Sequence, residues 1–336
     1  TRFLNVTGVQ TCALPISEDP TAGFLPSTGD IKLFSVPEGA GIRVDSGVET
    51  DDEVTPFYDA MIAKVITYGE TREDARLKMV SALRETALFG PENNRDFLID
   101  VLGQDQFVSG EATTAFIGDN YGDAYSPRPV STTDFAVAAA TQHVLAMENH
   151  HSQSASVNEE LLDWTSMGRV TDTRRYQVSE ESVDVSLVPL DVGDYEVAVG
   201  HETHQVVIVD INECDLTVEI DGLAEHYHYC AESPATIYLA SRERSFALAD
   251  STRIPPEAED AAGGGAISAP MHGQLLSIEV GAGAAVVKGQ RIAVLEAMKM
   301  QHEITAPGDG TVVEVSAGEG KQIGAGDLIM LIELDE

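Results

Sequence analysis

Apolar and polar residues alternate with a period of two from Tyr176 to about Leu248, in short runs separated by turn residues. Such alternation is typical of strands that bury one face. Many short strands at close spacing favour an antiparallel β-barrel. Before them, residues from about Thr133 to Glu148 carry apolar side chains at three- and four-residue spacing along one side, which predicts an amphipathic helix. The middle of the chain is therefore expected to be one helix followed by a barrel.

Helical spacing also occurs nearer the start of the chain. Thr71 is a good N-cap, and the apolar positions after it predict a helix from Arg72 to about Leu88. A second helix is predicted from about Asn94 to Leu102. Short apolar runs at 31–34 and 41–47 lie between turn-rich segments and predict strands. This part of the chain is expected to mix helices with small sheets.

The C-terminal stretch contains two similar halves. Ala269-Pro270-Met271-His272-Gly273 recurs as Ala306-Pro307-Gly308-Asp309-Gly310, an offset of 306 − 269 = 37. The same offset relates apolar β-formers and turn glycines, such as Gly281 with Gly318. Each half alone has too few apolar side chains for a core. The two halves are therefore predicted to pack into one small flattened β-barrel or sandwich.

The motif Glu296-Ala297-Met298-Lys299-Met300 lies between the two halves, where a tight turn would hold Lys299 in solvent. This motif between two Ala-Pro-x-x-Gly half-repeats resembles the biotinyl domain of biotin-dependent carboxylases. The resemblance implies that a biotin protein ligase attaches biotin to Lys299, and that Glu296, Ala297, Met298 and Met300 complete the biotinylation motif. A lipoyl carrier domain has the same duplicated fold, but its lysine usually lies between an acidic and a small residue. The paired methionines therefore favour biotin.

Residues 18–117 resemble the C-terminal subdomain of a biotin carboxylase, through the strings SEDPTAGFLPSTG, GIRVDSGV and PFYDAMIAK. In that family the subdomain helps to close the active site in which bicarbonate, activated by ATP with Mg²⁺, carboxylates biotin. The ATP-grasp core lies upstream in the family and is absent from this sequence. The family's catalytic arginine falls on Leu14 here. No catalytic residue is therefore assigned, and the chain alone is expected to be inactive.

Residues 118–254, a helix and a barrel, resemble the interaction domain of acyl-CoA carboxylase α subunits, which docks a separate carboxyltransferase β subunit. Residues 255–266 are rich in Pro, Ala and Gly and predict a flexible linker. Twelve such residues span roughly 20 Å on average, which would let the biotinyl domain at 267–336 visit two sites.

The predicted fold class is multidomain α+β: a biotin carboxylase C-terminal subdomain, a helix with an antiparallel barrel, and a duplicated biotinyl domain. The implied function is to carry carboxybiotin on Lys299 from an ATP-dependent carboxylase site to an acyl-CoA carboxyltransferase. The layout and the string GLAEHYHYCAE are most similar to 3-methylcrotonyl-CoA carboxylase. Propionyl-, acetyl- and geranyl-CoA carboxylases remain open, because the β subunit selects the acyl-CoA. A non-catalytic biotin or lipoyl carrier scaffold is the alternative class, but it would not need residues 18–117.

Charge and composition exclude other classes of function. The 336 residues carry a net charge of −36, from 56 acidic and 20 basic side chains, which disfavours binding to nucleic acid or to anionic membranes. No apolar run is long enough for a membrane span. Cys12, Cys214 and Cys230 have no metal-ligand spacing and are expected to be reduced thiols. The expected location is the bacterial cytoplasm, or the mitochondrial matrix if the source is eukaryotic.

No metal site is predicted from the histidines. His201, His204, His226 and His228 alternate around the predicted strands, and His150-His151 is expected in a polar loop after the helix. No carboxylate or cysteine completes a set at ligand spacing along the sequence.

Residues 1–17 are expected to be an artefactual or disordered leader without function, Cys12 included. The segment VTGVQTCALPI, residues 6–16, resembles the conceptual translation of a common sequencing-adapter oligonucleotide. We expect an assembly artefact fused to a truncated gene.

Overall fold

The computed structural model describes residues 9–122, 124–153, 168–178, 181–253, 265–298 and 300–334. These residues form an N-terminal module (9–122), a barrel module (124–253) and a C-terminal module (265–334). The predicted fold class is confirmed: mixed small sheets with helices, a closed barrel, and a sheet-rich C-terminal module follow one another. Among the described helices, none has the length and apolar character that a membrane crossing requires.

The N-terminal module packs its helices against a three-stranded sheet of order β1 (Val9–Ala13), β8 (Ala63–Gly69) and β6 (Ile42–Ser46). The helix after Thr71 ends at Glu85, three residues before its predicted end, because the next residues pair as a strand with residues 33–35. The Thr71 side chain accepts a hydrogen bond from the Asp74 backbone N–H at 3.1 Å, as expected of an N-cap. The elements are β1 (Val9–Ala13), β2 (Glu18–Asp19), a 3₁₀ turn (Pro20–Ala22), β3 (Leu25–Pro26), β4 (Gly29–Asp30), β5 (Leu33–Ser35), β6 (Ile42–Ser46), β7 (Glu53–Val54), β8 (Ala63–Gly69), α1 (Arg72–Glu85), β9 (Ala87–Phe89), α2 (Arg95–Gly103), α3 (Asp105–Ser109) and α4 (Phe116–Tyr121).

Of the predicted artefactual or disordered leader at residues 1–17, the disorder is wrong for residues 9–17. Strand β1 pairs with β8 from Val9↔Gly69 to Ala13↔Val65, and Ala13 is buried. Ile16 forms a further bridge to Met61. Strand pairing joins backbone groups, so an extended segment of almost any sequence can fill the open edge of β8. Residues 1–8 lie outside the described residues.

The barrel module closes eight strands in sequence order around helix α5 (Thr132–Gln153). Residues 134–143 are buried without interruption, so every face of that part of α5 is covered, and its alanines pack among the inward barrel side chains. The predicted one-sided helix is therefore wrong, because small side chains let α5 fill the barrel interior. His150 and His151 lie in the last turn of α5 rather than in a loop. The strands are β10 (Asp172–Val178), β11 (Glu181–Asp191), β12 (Asp194–Val199), β13 (Glu202–Ile211), β14 (Asp215–Ile220), β15 (Leu223–Ala231), β16 (Thr236–Ala240) and β17 (Ser245–Asp250).

A polar cluster is enclosed between α5 and strand β10. Asp172 lies 3.1 Å from His143 Nδ1 and accepts a hydrogen bond from Arg174 Nη2 at 2.7 Å. Arg174 is 1% exposed and also donates to Gln142. The hydrogen bond with His143 is the largest cause that lowers the pKa of Asp172 to about 2, against the opposing effect of burial.

Arg95 joins the N-terminal module to the barrel. Its guanidinium is buried and donates to the carbonyls of Leu83 at 2.8 Å and Arg84 at 3.0 Å, which end helix α1. It also donates to Asp96 Oδ1 at 2.7 Å and to the carbonyl of Ser241 in the barrel at 3.0 Å. One side chain therefore satisfies four acceptors across the junction.

The C-terminal module consists of two four-stranded sheets with the same internal order. One is β18-β25-β23-β20 (residues 266–268, 328–334, 310–315 and 285–286), and the other is β22-β21-β19-β24 (residues 300–305, 291–297, 273–278 and 322–323). The offset of 37 carries β19 to β23 and β21 to β25, so the sequence duplication is a structural one. A Cβ on Gly273 would lie 2.6 Å from the Glu296 carbonyl, and a Cβ on Gly310 would lie 2.3 Å from the Glu333 carbonyl, so both halves need glycine there. The strands are β18 (Ala266–Ser268), β19 (Gly273–Ile278), β20 (Ala285–Val286), β21 (Arg291–Ala297), β22 (Met300–Thr305), β23 (Gly310–Val315), β24 (Gln322–Ile323) and β25 (Leu328–Leu334).

The predicted linker at 255–266 lies mostly outside the described residues, which resume at Gly265. Its last two residues belong to the C-terminal module instead. The Gly265 carbonyl accepts a hydrogen bond from Ile332 N–H at 2.8 Å, and Ala266 begins strand β18. The composition of these residues is that of a linker, but the edge of β25 supplies backbone partners for them.

Candidate functional site

The hairpin of β21 and β22 contains the motif at 296–300. Its register pairs Ala297 with Met300. Lys299 lies outside the described residues. On either side of it in the sequence, Met298 is buried and Met300 is 49% exposed.

Met298 has a left-handed backbone, with φ of 49°. The favoured two-residue hairpin turns need a positive φ at their first central residue. For a side chain other than glycine this conformation costs about 1–3 kcal/mol. Burial of a methionine side chain stabilises the folded state by about 1.5–3 kcal/mol. Met298 is only 5% exposed. The buried contact is therefore large enough to hold the strained turn.

Met298 makes its contacts with the N-terminal module. Its N–H donates to the carbonyl of Pro56 at 3.1 Å. Its side chain belongs to a buried cluster formed by that module: Ile31, Val54, Ala60, Ile62, Ala63 and Leu88. Leu25 of the same module packs against the core of the C-terminal module. The end of the hairpin is thus docked on residues 54–63.

The other motif residues have separate places in the hairpin. Ala297 is buried in the core between the two sheets. Glu296 is half-buried and pairs with Gln274 and Gln301 on the neighbouring strands. All four described motif residues lie at one end of the hairpin.

The sequence did not predict that residues 54–63 form the surface on which Met298 docks. Pro56 and Ile62 belong to the string PFYDAMIAK, and Val54 precedes it; the string pointed only to residues 18–117 as a unit. Phe57 and Tyr58, beside the docked turn, are 70% and 75% exposed. Two exposed aromatic side chains next to Pro56 were the available signal for a contact surface.

Charged pairs fix the far end of the same hairpin. Arg291 binds Glu279 at 2.7 Å and Glu303 at 2.8 Å. Its hydrogen bonds, first to Glu279 and then to Glu303, raise the pKa of the guanidinium. These groups are exposed and lie at the opposite end of β21 from Lys299, so they hold strands together rather than act on the lysine.

Two protein-family models match the chain. Residues 16–119 match the biotin carboxylase C-terminal domain, and residues 265–332 match the model of biotin-requiring enzymes. The chain joins a biotin carboxylase C-terminal domain to a biotinyl domain. We call these two parts the carboxylase tail and the biotinyl domain from here on.

Several known proteins are similar over almost the whole chain. The human mitochondrial propionyl-CoA carboxylase alpha chain is 28% identical over 335 residues, which cover 94% of this chain and 45% of that protein. The mitochondrial methylcrotonoyl-CoA carboxylase subunit alpha of Dictyostelium discoideum is 29% identical over 314 residues, 88% of this chain and 44% of that protein. The chain therefore spans about half the length of the curated relatives it matches. Among solved structures, the biotin carboxylase domain of a thermophilic 2-oxoglutarate carboxylase, bound to bicarbonate, is 34% identical over 34% of this chain and 26% of its own, with a TM-score of 0.33.

The hairpin fits a covalently attached biotin. An exposed attachment point needs a rigid base, and the αL turn at Met298 with its buried side chain provides one. Lys299 would hold the group through its side-chain nitrogen. The group itself would supply the atom that accepts a carboxyl group, which is the chemistry that no side chain of the chain offers.

Proposed function

We propose that this chain is the carrier part of a biotin-dependent acyl-CoA carboxylase alpha subunit, with Lys299 as the site of biotin attachment. The docking of Met298 on the carboxylase tail is the observation that supports it most. A carrier must present its group at the carboxylase site, and this contact holds the hairpin against the domain that helps to form that site.

In this proposal the residues of the chain position the group and do no bond chemistry. Met298 fixes the turn, and its N–H bond to Pro56 sets the orientation of the hairpin on the tail. The lysine adds reach through its flexible four-carbon stem.

The proposed second site is a carboxyltransferase β subunit that docks on the barrel module. We favour 3-methylcrotonyl-CoA as the acyl-CoA, as the sequence resemblance implies. Propionyl-CoA is the alternative, supported by the similarity to propionyl-CoA carboxylase alpha chains over 94% of this chain. Adding each purified β subunit to the full chain and measuring complex formation distinguishes the two. Binding of neither subunit would contradict an interaction role for the barrel.

Carboxylation in trans tests the carrier role. The chain is first biotinylated with a biotin protein ligase, then mixed with a free biotin carboxylase, ATP, Mg²⁺ and labelled bicarbonate. Label is expected on the wild-type chain and on the control Lys288→Arg, whose lysine is exposed in the same domain. Lys299→Arg is expected to take up none. Equal labelling of Lys299→Arg and wild type would contradict the proposal.

A further inference from the structure

Three metal-ligating side chains meet on the outer face of the barrel. Strands β14 and β15 pair Asp215 with His228, and His226 lies two residues before His228 on the same face of β15. Asp215 Oδ1 lies 2.7 Å from His228 Nδ1 and 3.4 Å from His226 Nε2. One ligand atom from each residue lies within 4.8 Å of the others. The sequence showed no carboxylate at ligand spacing from the histidines. Pairing of the two strands supplies one, Asp215.

The spacing of these atoms is close to that of a metal site. Ligands bound to Zn²⁺ at 2.0–2.1 Å in a tetrahedron lie about 3.3 Å apart. The separation of Asp215 Oδ1 from His226 Nε2, 3.4 Å, matches this value. The separation from His228 Nδ1, 2.7 Å, is shorter and needs a small opening when an ion enters. Half of the His226 side chain is exposed, which leaves solvent access for water as a further ligand.

His228 Nδ1 is a buried polar atom that faces the carboxylate of Asp215. It makes no hydrogen bond of acceptable geometry, although Asp215 Oδ1 is close. A buried nitrogen without a hydrogen bond of good geometry destabilises the folded state. An ion between the three residues would satisfy it.

The surroundings of the cluster resemble the outer shell of known metal sites. The Cys214 thiol donates to the second carboxylate oxygen of Asp215 at 3.6 Å, which orients the carboxylate. The backbone of Glu85, at the end of α1, hydrogen-bonds the His228 ring. Ligating histidines commonly bond a backbone carbonyl through their other nitrogen.

We propose that Asp215, His226 and His228 bind a divalent transition-metal ion of the Zn²⁺ type, with water in the remaining position. The ion links β14 to β15 and holds the ring that touches the end of α1. It therefore stabilises the seam between the barrel and the carboxylase tail. Imidazole and carboxylate ligands together suit Zn²⁺, Co²⁺ and Ni²⁺ better than Mg²⁺ or Ca²⁺.

Titration of the metal-stripped full chain with Co²⁺ tests the proposal, because the visible spectrum of Co²⁺ reports its coordination. One ion per chain is expected, displaced by Zn²⁺, with a rise in melting temperature on saturation. Asp215→Asn, which keeps the shape of the side chain, and His226→Ala, at a half-exposed position, are each expected to weaken binding by at least about tenfold.

His201→Ala is the matched control, because His201 is an exposed histidine in a turn of the same barrel. It is expected to bind Co²⁺ as the wild type does. Circular dichroism verifies that each variant is folded. The proposal is overturned if the wild type binds no ion, or if the folded Asp215 and His226 variants bind Co²⁺ as tightly as the control.

Discussion

Replacing Arg95 by methionine removes the guanidinium that joins the carboxylase tail to the barrel. The substitution keeps an unbranched side chain of similar length but leaves three carbonyls and one oxygen of Asp96 without their donor. Removing one partner of a buried ion pair costs about 3–5 kcal/mol. Because Arg95 is 1% exposed, water does not replace the lost hydrogen bonds.

Differential scanning calorimetry of the full chain measures the effect. For a domain of this size the loss corresponds to a fall in melting temperature of roughly 6–20 °C. Arg84→Met is the control, since the Arg84 side chain is exposed on the same helix and its carbonyl stays available to Arg95. The reasoning is refuted if Arg95→Met lowers the melting temperature no more than Arg84→Met does.

Three further predictions concern the barrel, the biotinyl domain and the docked hairpin. The depressed pKa of Asp172, about 2 against a usual 3.8, contributes about 2 kcal/mol of stability above pH 4, which is lost as the pH falls from 4 through 2. In denaturant unfolding curves, the difference in the free energy of unfolding between wild type and Asp172→Asn should therefore shrink as the pH falls across that range. A difference that stays constant would contradict this role of Asp172. Gly310→Ala should destabilise the biotinyl domain by about 1–3 kcal/mol in a denaturant titration, whereas Gly281→Ala, with no described atom within 4 Å of its added Cβ, should change little. Met298→Ala should speed hydrogen exchange of residues 54–63, while Met300→Ala should leave it unchanged because Met300 is 49% exposed; equal rates in both would refute the docking contact.

Local signals in the sequence predicted several elements well. Thr71 marked the start of α1, and the repeat of Gly273 as Gly310 marked the two equivalent sheets. These features depend on residues that are adjacent in the sequence, or on a repeat that can be read directly from the sequence. The motif at 296–300 also needed only its own residues and the flanking half-repeats.

Features that depend on distant partners were not predictable. The position of Asp215 opposite His228 is set by the register of two strands, and the sequence contains no sign of that register. Nor did the alanines of α5 reveal that a barrel would enclose them. The contact of Met298 with Pro56 joins residues more than two hundred positions apart. Backbone pairing of residues 9–13 likewise required no recognisable pattern in their side chains.

The most direct test of the central claim is the intact mass of the chain after co-expression with a biotin protein ligase. We expect a gain of one biotin in the wild type and in Lys288→Arg, and no gain in Lys299→Arg. A wild-type chain that gains no biotin, or that gains a lipoyl group instead, would contradict the attachment of biotin at Lys299.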